Sequence, residues 1–182
     1  DGIAIRIGRG ATHLEPLQTA VIESGADLGV AFDGDADRML AVDATGGLVD
    51  GDQIIAMCAL DAKARGTLAE DAVVITVMTN LGFRRSMDAA GIEIVDTKVG
   101  DRYVLEALDA RQLSLGGEQS GHVIFRELAS AGDGLLTAVQ LLDVVTRSGR
   151  SLEELATESM TRLPQVLKNV KVAERPADID AP

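Results

Sequence analysis

Residues 28–42 read LGVAFDGDADRMLAV. Two apolar runs of strand length, Leu28–Phe32 and Met39–Val42, flank the acidic stretch Asp33-Gly34-Asp35-Ala36-Asp37-Arg38. Such runs predict strands. The stretch between them then lies at a strand end, where α/β proteins place ligands. In an extended chain alternate side chains share a face, so Asp33, Asp35 and Asp37 are expected to converge. Two carboxylates about 4 Å apart repel by about 4 kcal/mol at an effective dielectric near 20, and a divalent cation would remove that cost. Gly34 and Ala36 keep the intervening positions small enough for the backbone to fold around an ion. Hard oxygen ligands favour magnesium or calcium over zinc. An EF-hand does not fit: with Asp33 first, the sixth position is Arg38 instead of Gly and the twelfth is Ala44 instead of Glu. Three monodentate aspartates suit Mg²⁺, and Arg38 beside them offers a planar fork for a phosphate or sugar oxygen. The competing reading is a solvated acidic turn.

Outward from this stretch, strand-length apolar runs alternate with helical patterns. The expected fold class is α/β, a mixed, mostly parallel sheet with flanking helices. Ile3–Ile7 reads as a strand. Leu14, Leu17, Val21 and Ile22 recur at helical spacing up to Gly25, and Thr12 with Glu15 resembles a capping box, with Pro16 slightly late for it. Asp43–Gly47 reads as a turn. Asp50 or Asp52 caps a helix running to about Arg65. Ala72–Met78 has the composition of an inner strand. A helix begins at Thr79 or Asn80 and stops near Gly91. Ile92–Val95 is a strand, and Asp101 caps a helix through Leu108. Leu113–Leu115 and Val123–Phe125 flank a polar loop. Asp133 caps a long helix to about Thr146, Ser151 with Glu154 forms a capping box, and Gln165–Val172 is extended. Glu174–Pro182, charged and holding two prolines, reads as a linker.

Composition narrows the function. The chain has 182 residues, of which 46% are hydrophobic, with 17 Lys and Arg against 29 Asp and Glu, a net charge of −12. That supports a sizeable core and argues against disorder. Without a basic footprint, and with Phe32, Phe83, Tyr103 and Phe125 as the whole aromatic content, it argues against nucleic acid. No apolar run reaches the roughly 18 residues of a membrane span. No signal peptide is visible, so a cytoplasmic address is the default. Cys58 is the single cysteine, read as a small buried hydrophobe on a helix.

Two further loops carry chemistry. In Gly116-Gly117-Glu118-Gln119-Ser120-Gly121-His122, the residues Glu118, Ser120 and His122 alternate, and carboxylate, hydroxyl and imidazole suit sugar hydroxyls. A plain glycine-rich hairpin loop is the alternative. In Gly100-Asp101-Arg102, the helix-start amides can receive a phosphate, although Asp101 as an ordinary cap also explains the stretch. Lys98 is either a counter-charge there or a salt-bridge partner. His13 is read as a surface residue at a helix start.

At these loops the sequence resembles the α-D-phosphohexomutase superfamily. The resemblance rests on Ala31–Arg38, Val49-Asp50-Gly51-Asp52, Val77–Gly82, Val99–Val104 and Gly116–His122, which run in family order through nearly the whole chain. The last two point to the branch acting on glucosamine phosphates rather than the phosphomannomutase/phosphoglucomutase branch. The resemblance implies residues 1–48 as the C-terminal half of a second domain, 49–172 as a third domain, and 173–182 as a linker towards a fourth. It implies interconversion of glucosamine 6-phosphate and glucosamine 1-phosphate through a phosphoserine and a sugar bisphosphate. Asp33, Asp35 and Asp37 would hold Mg²⁺. Arg38, Glu118, Ser120 and His122 would contact the hexosamine phosphate, with Lys98, Asp101 and Arg102 as further phosphate or sugar contacts. A non-catalytic module binding metal or sugar phosphate is the reading from another class.

The Ser-His-Asn-Pro stretch that supplies the family's phosphoserine is not in these 182 residues, nor is the Arg-x-Ser-Gly-Thr-Glu-Pro phosphate loop of its fourth domain. The expected partners are therefore the first and fourth domains of a parent enzyme. A partial second domain would leave apolar sheet surface uncovered, so self-association is expected; a concentration-independent monomer in sedimentation would contradict it. This chain alone is expected to show no mutase turnover when assayed with added sugar bisphosphate. Activity well above background would contradict that expectation.

Overall fold

The computed structural model describes residues 3–7 and 14–166. In chain order the elements are β1 (Ile3–Ile7), α1 (Glu15–Ser24), β2 (Leu28–Phe32), β3 (Met39–Asp43), β4 (Leu48–Val49), α2 (Gly51–Ala64), β5 (Ala72–Thr76), α3 (Leu81–Ala89), β6 (Glu93–Thr97), α4 (Asp101–Arg111), β7 (Leu115–Gly117), β8 (Val123–Phe125), α5 (Gly134–Ser148) and α6 (Leu152–Ser159). They form two four-stranded sheets, ordered β1-β2-β3-β4 and β6-β5-β7-β8. In the first, β1 runs parallel to β2 and the remaining pairs are antiparallel. In the second, β5 runs parallel to β6 and β7, and β8 closes the edge as an antiparallel hairpin with β7. Thr12, His13, residues 167–172 of the expected extended segment and the expected linker lie outside the described residues.

The strands form because both sheet faces are covered. Every residue of β2, β3 and β5 is buried. On one face of the first sheet, Leu17 and Val21 of α1 meet Ala31, Leu40 and Val42. On the other, Leu28, Val30, Phe32, Met39 and Ala41 join a core that continues through α2 to Val73, Ile75, Leu115 and Val123 of the second sheet. Helix α2 is therefore apolar around most of its girth, with Ile54, Ile55, Ala56 and Ala59 fully buried. Helix α4 covers the far face of the second sheet, Val104 and Leu108 packing on Ala72, Val74 and Ile124. Cys58 is buried in α2. Burial first, then the charge of Asp61, pushes its thiol up to about 12, which makes it an unreactive hydrophobe at neutral pH.

The caps are local and legible. Asp50, not Asp52, caps α2, in a reciprocal capping box with Gln53. Ser151 and Glu154 form a second box on α6. Helix α1 starts at Glu15, so Pro16 falls in the first turn, where its missing N–H costs nothing. Three expectations are corrected. Helix α4 is capped by Gly100, with Asp101 as its first residue. Strand β5 ends at Thr76, and Val77 and Met78 turn outward, Thr79 N–H bonding back to the Thr76 carbonyl. Gly116 and Gly117 pair with β5 as strand, not loop.

Where the sheets meet, the start of α2 lies against the hairpin loop between β7 and β8. Gly51 N–H donates to the Gln119 carbonyl at 3.1 Å. A Cβ on residue 51 would lie 2.2 Å from the Glu118 carbonyl oxygen and 2.7 Å from Gly121 N. Only glycine permits that approach. Gly51→Ala is accordingly expected to lower unfolding free energy by about 1–3 kcal/mol in urea titration, the cost of forcing backbone apart in a packed site. An unchanged midpoint would contradict this packing.

Candidate functional site

The acidic loop does converge, though not as an extended strand. Ala36 takes a left-handed conformation, φ 60°, and its N–H bonds back to the Asp33 carbonyl at 3.3 Å. This turn brings one carboxylate oxygen from each of Asp33, Asp35 and Asp37 within 4.8 Å of the others. Its outer side rests on the start of α5, where Gly134 N–H donates to the Ala36 carbonyl at 2.8 Å. Asp33 Oδ1 accepts from Arg38 N–H at 3.3 Å, and the Arg38 Nε lies 3.8 Å from Asp33 and 3.9 Å from Asp37. Burial, then the hydrogen bond with Asp33 and the charges of Asp33 and Asp35, hold the Asp37 carboxyl above its ordinary range; His122 acts the other way. Crowded acids of this kind form the donor set a hard divalent cation relieves. The three side chains therefore fit Mg²⁺.

Arg38, Glu118 and Ser120 line a cleft of about 410 Å³ together with Thr76, Met78, Val99 and Gln119. Glu118 Oε1 accepts the Gly100 N–H at 2.9 Å, which fixes the carboxylate beside the α4 start and leaves Oε2 for a ligand. Met78 and Gln119 also border a second cleft of about 610 Å³, with Asn80, Arg162 and Gln165 on its walls. His122 is placed differently. It is 3% exposed and is not among the residues lining the cleft; its Nδ1 faces Asp37 Oδ2 at 3.1 Å. In this arrangement the ring is buried against the acidic loop. Lys98, Asp101 and Arg102 are exposed near the α4 start, but Arg102 is paired with Glu106 at 2.7 Å and Asp101 Oδ1 accepts the Arg102 N–H. The structure thus brings the aspartates, Arg38, Glu118 and Ser120 to one place, and Lys98, Asp101 and Arg102 are not among the residues that line the cleft.

Sequence reading missed two parts of this region. Asp50 does more than cap α2: its Oδ2 lies 3.3 Å from Gln119 Nε2 and 3.3 Å from the Arg162 guanidinium. Asn80, expected only as a helix start, binds Leu163 through both side-chain atoms, its Oδ1 accepting the Leu163 N–H at 3.0 Å and its Nδ2 donating to the Leu163 carbonyl at 2.8 Å. Both link residues more than 60 positions apart, so no local pattern marks them. Asp52 is fully buried, with Oδ2 accepting the Asn80 N–H at 2.8 Å and Oδ1 without a partner among the described residues.

Comparison with known proteins identifies the family. Residues 50–163 match the family described as phosphoglucomutase/phosphomannomutase, alpha/beta/alpha domain III, and residues 9–47 match domain II of the same family. The chain belongs to the phosphoglucomutase/phosphomannomutase family. It is 61% identical over 175 residues to the phosphoglucosamine mutase of Frankia casuarinae, covering 96% of this chain and 38% of that protein. It is 54% identical over 182 residues to the phosphoglucosamine mutase of Pelotomaculum thermopropionicum, covering all of this chain and 41% of that protein. The chain therefore spans about two-fifths of the length of these relatives. Among solved structures, a phosphomannomutase from Thermus thermophilus superposes with a TM-score of 0.73 at 27% identity, over 80% of this chain and 33% of that one. The N-acetylphosphoglucosamine mutase of Aspergillus fumigatus, solved with GlcNAc-6P and magnesium, shares the fold with a TM-score of 0.63 at 24% identity, over 82% of this chain and 36% of that one. No helix among the described residues is long and apolar enough to cross a membrane.

Burial pushes the Asp52 carboxyl up to about 6, against the opposing hydrogen bond from Asn80. A raised acid favours the folded state when protonated. Its contribution is complete below the unfolded value near 3.8 and is lost as pH rises through 6. Above that the ionised group costs up to about 3 kcal/mol. Asp52→Asn keeps an acceptor for Asn80 and removes the charge. Its unfolding free energy is expected to exceed that of the wild type at pH 8, the gap closing as pH falls from 6 to 4. A gap independent of pH would contradict the assignment.

Proposed function

We propose that this chain carries the metal loop and the sugar-binding loop of a phosphoglucosamine mutase, an isomerase that interconverts glucosamine 6-phosphate and glucosamine 1-phosphate. In this reading residues 1–48 belong to the second phosphohexomutase domain, 49–172 to the third, and 173–182 lead towards a fourth. The first and fourth domains of the parent are its partners, and the parent works in the cytoplasm. The observation that carries the reading is the arrangement of three converging aspartates beside a cleft lined by Arg38, Glu118 and Ser120. Identities of 61% and 54% to phosphoglucosamine mutases support the sugar assignment.

Each side chain has a definable task. Asp33, Asp35 and Asp37 would hold Mg²⁺, which offsets the charge that develops on a transferring phosphoryl group. Arg38 lies against two of these aspartates and opens to the cleft, so its guanidinium can orient a phosphate oxygen next to the metal loop. The free oxygen of Glu118 accepts from sugar hydroxyls, and the Ser120 hydroxyl can donate or accept beside it. Two such contacts fix the ring without bonding the reacting phosphate, so they let the sugar be held in more than one orientation.

A phosphomannomutase/phosphoglucomutase is the second reading, favoured by the likeness to the Thermus phosphomannomutase. Turnover by the full-length parent on glucosamine and mannose phosphates separates the two: a higher kcat/KM for glucosamine phosphate is expected, and a preference for mannose phosphate would overturn the first reading. In the same protein, Asp35→Asn is expected to reduce kcat by about 10²–10³-fold or more, the scale of losing one preorganised electrostatic group. Wild-type turnover in that variant would remove the metal loop from the mechanism.

A further inference from the structure

Asn80 is buried and serves two elements at once. Its Oδ1 caps α3 by accepting the Gly82 N–H at 2.9 Å. The same atom accepts the Leu163 N–H at 3.0 Å, while Nδ2 donates to the Leu163 carbonyl at 2.8 Å. A side-chain amide holds the donor and acceptor of a peptide group, so Asn80 pairs with Leu163 as a neighbouring strand would. Its own backbone is fixed from the other side, where buried Asp52 accepts the Asn80 N–H at 2.8 Å. The segment from Ser159 to Gln165 follows the same line at further points. The Ser86 hydroxyl donates to the Ser159 carbonyl, and Gln165 Nε2 donates to the Met78 carbonyl at 2.9 Å. Gly82 approaches so closely that a Cβ there would collide with the Thr161 carbonyl oxygen. Capping α3 does not require the bonds to Leu163, since serine caps as well as asparagine.

We propose that Asn80 is a positioning residue for substrate: by clasping both backbone atoms of Leu163 it holds the Arg162–Gln165 segment as a wall of the larger cleft, and so sets the affinity for a hexose phosphate. Arg162, Leu163, Pro164 and Gln165 all line that cleft, and Met78 and Gln119 belong to it and to the cleft of Glu118 and Ser120. A wall released from Asn80 widens the space next to the sugar. Arg162 moves with it, and its guanidinium stands 3.3 Å from Asp50 while the segment is in place. The inference rests on the sugar-phosphate reading above. It gives Asn80 a task through Leu163 and not through contact with the reacting atoms.

The test uses Asn80→Ser, which keeps the cap but is too short to reach both backbone atoms of Leu163. In the 182-residue chain, hydrogen exchange at the Leu163 amide, read by NMR, is expected to be slow in the wild type and about tenfold faster in the variant, the scale of one net hydrogen bond. In the full-length parent, the variant is expected to raise KM for glucosamine 6-phosphate about tenfold and to leave kcat within about threefold, the signature of lost binding without lost chemistry. Reciprocity requires that saturating glucosamine 6-phosphate slow Leu163 exchange in the wild-type parent. Gly82→Ala pushes the same segment away from the opposite side; it is expected to act alike, and it carries the test if Asn80→Ser does not fold. Unchanged exchange in the folded variants would overturn the clasp. Faster exchange with a wild-type KM, a fall in kcat alone, or Leu163 exchange indifferent to substrate would overturn the positioning role. A parent that prefers mannose phosphate would overturn the glucosamine reading by itself, and the same measurements with mannose 6-phosphate then decide the role of Asn80.

Discussion

Mutual repulsion among three carboxylates is the constraint around which this molecule is organised. Asp33, Asp35 and Asp37 place oxygens within 4.8 Å of one another, and left to themselves such groups swing apart into water. What holds them comes from a local arginine and from two distant parts of the chain. The Ala36 carbonyl is bonded by the first residue of α5, Asp37 faces a buried imidazole from the β7–β8 loop, and Arg38 lies between two of the acids. The α2 start presses on that same loop at Gly51. The acidic loop thus sits at the seam where the two sheets, α2 and α5 share one core.

This arrangement explains why charged groups occur at depth in a chain of such acidity. Asp50 and Asp52 begin the helix that passes between the sheets, and both are buried. Asp50 satisfies a helix amide, Gln119 and Arg162 at once. Asp52 supports Asn80, which in turn grips Leu163. The polar groups form a frame under the cleft, linking the β7–β8 loop to the segment after α6. Burying a carboxylate there costs stability. The compensation is a fixed relation between loops that the hydrophobic core, being non-directional, does not specify.

Local signals made much of this legible. The α/β alternation, the Ser151–Glu154 box, the Asp50 cap and the aspartate triplet all depend on residues within a few positions of one another. The sequence correctly brought the three acids together, but for an incomplete reason: a left-handed turn at Ala36, not strand alternation, points them at one centre. What stayed hidden depends on tertiary packing. Val77 and Met78 look like strand interior by composition, yet the sheet ends before them: Val77 is exposed and Met78 lines the cleft. Gly116 and Gly117 look like loop, yet they pair with β5 because the tight space beside Val74 and Ile55 rewards a missing side chain. His122 alternates with Glu118 and Ser120 in sequence, but the positive φ of Gly121 breaks the alternation and sends the ring inward.

The place where a hard dication settles decides whether the acidic loop is a metal centre. Crystals of this chain soaked in Mn²⁺ and measured at the manganese absorption edge give the most direct answer. An anomalous peak bonded to one oxygen from each of Asp33, Asp35 and Asp37, at about 2.0–2.3 Å, is the predicted result. Side chains that diverge around empty density, with manganese elsewhere on the acidic surface, would contradict it.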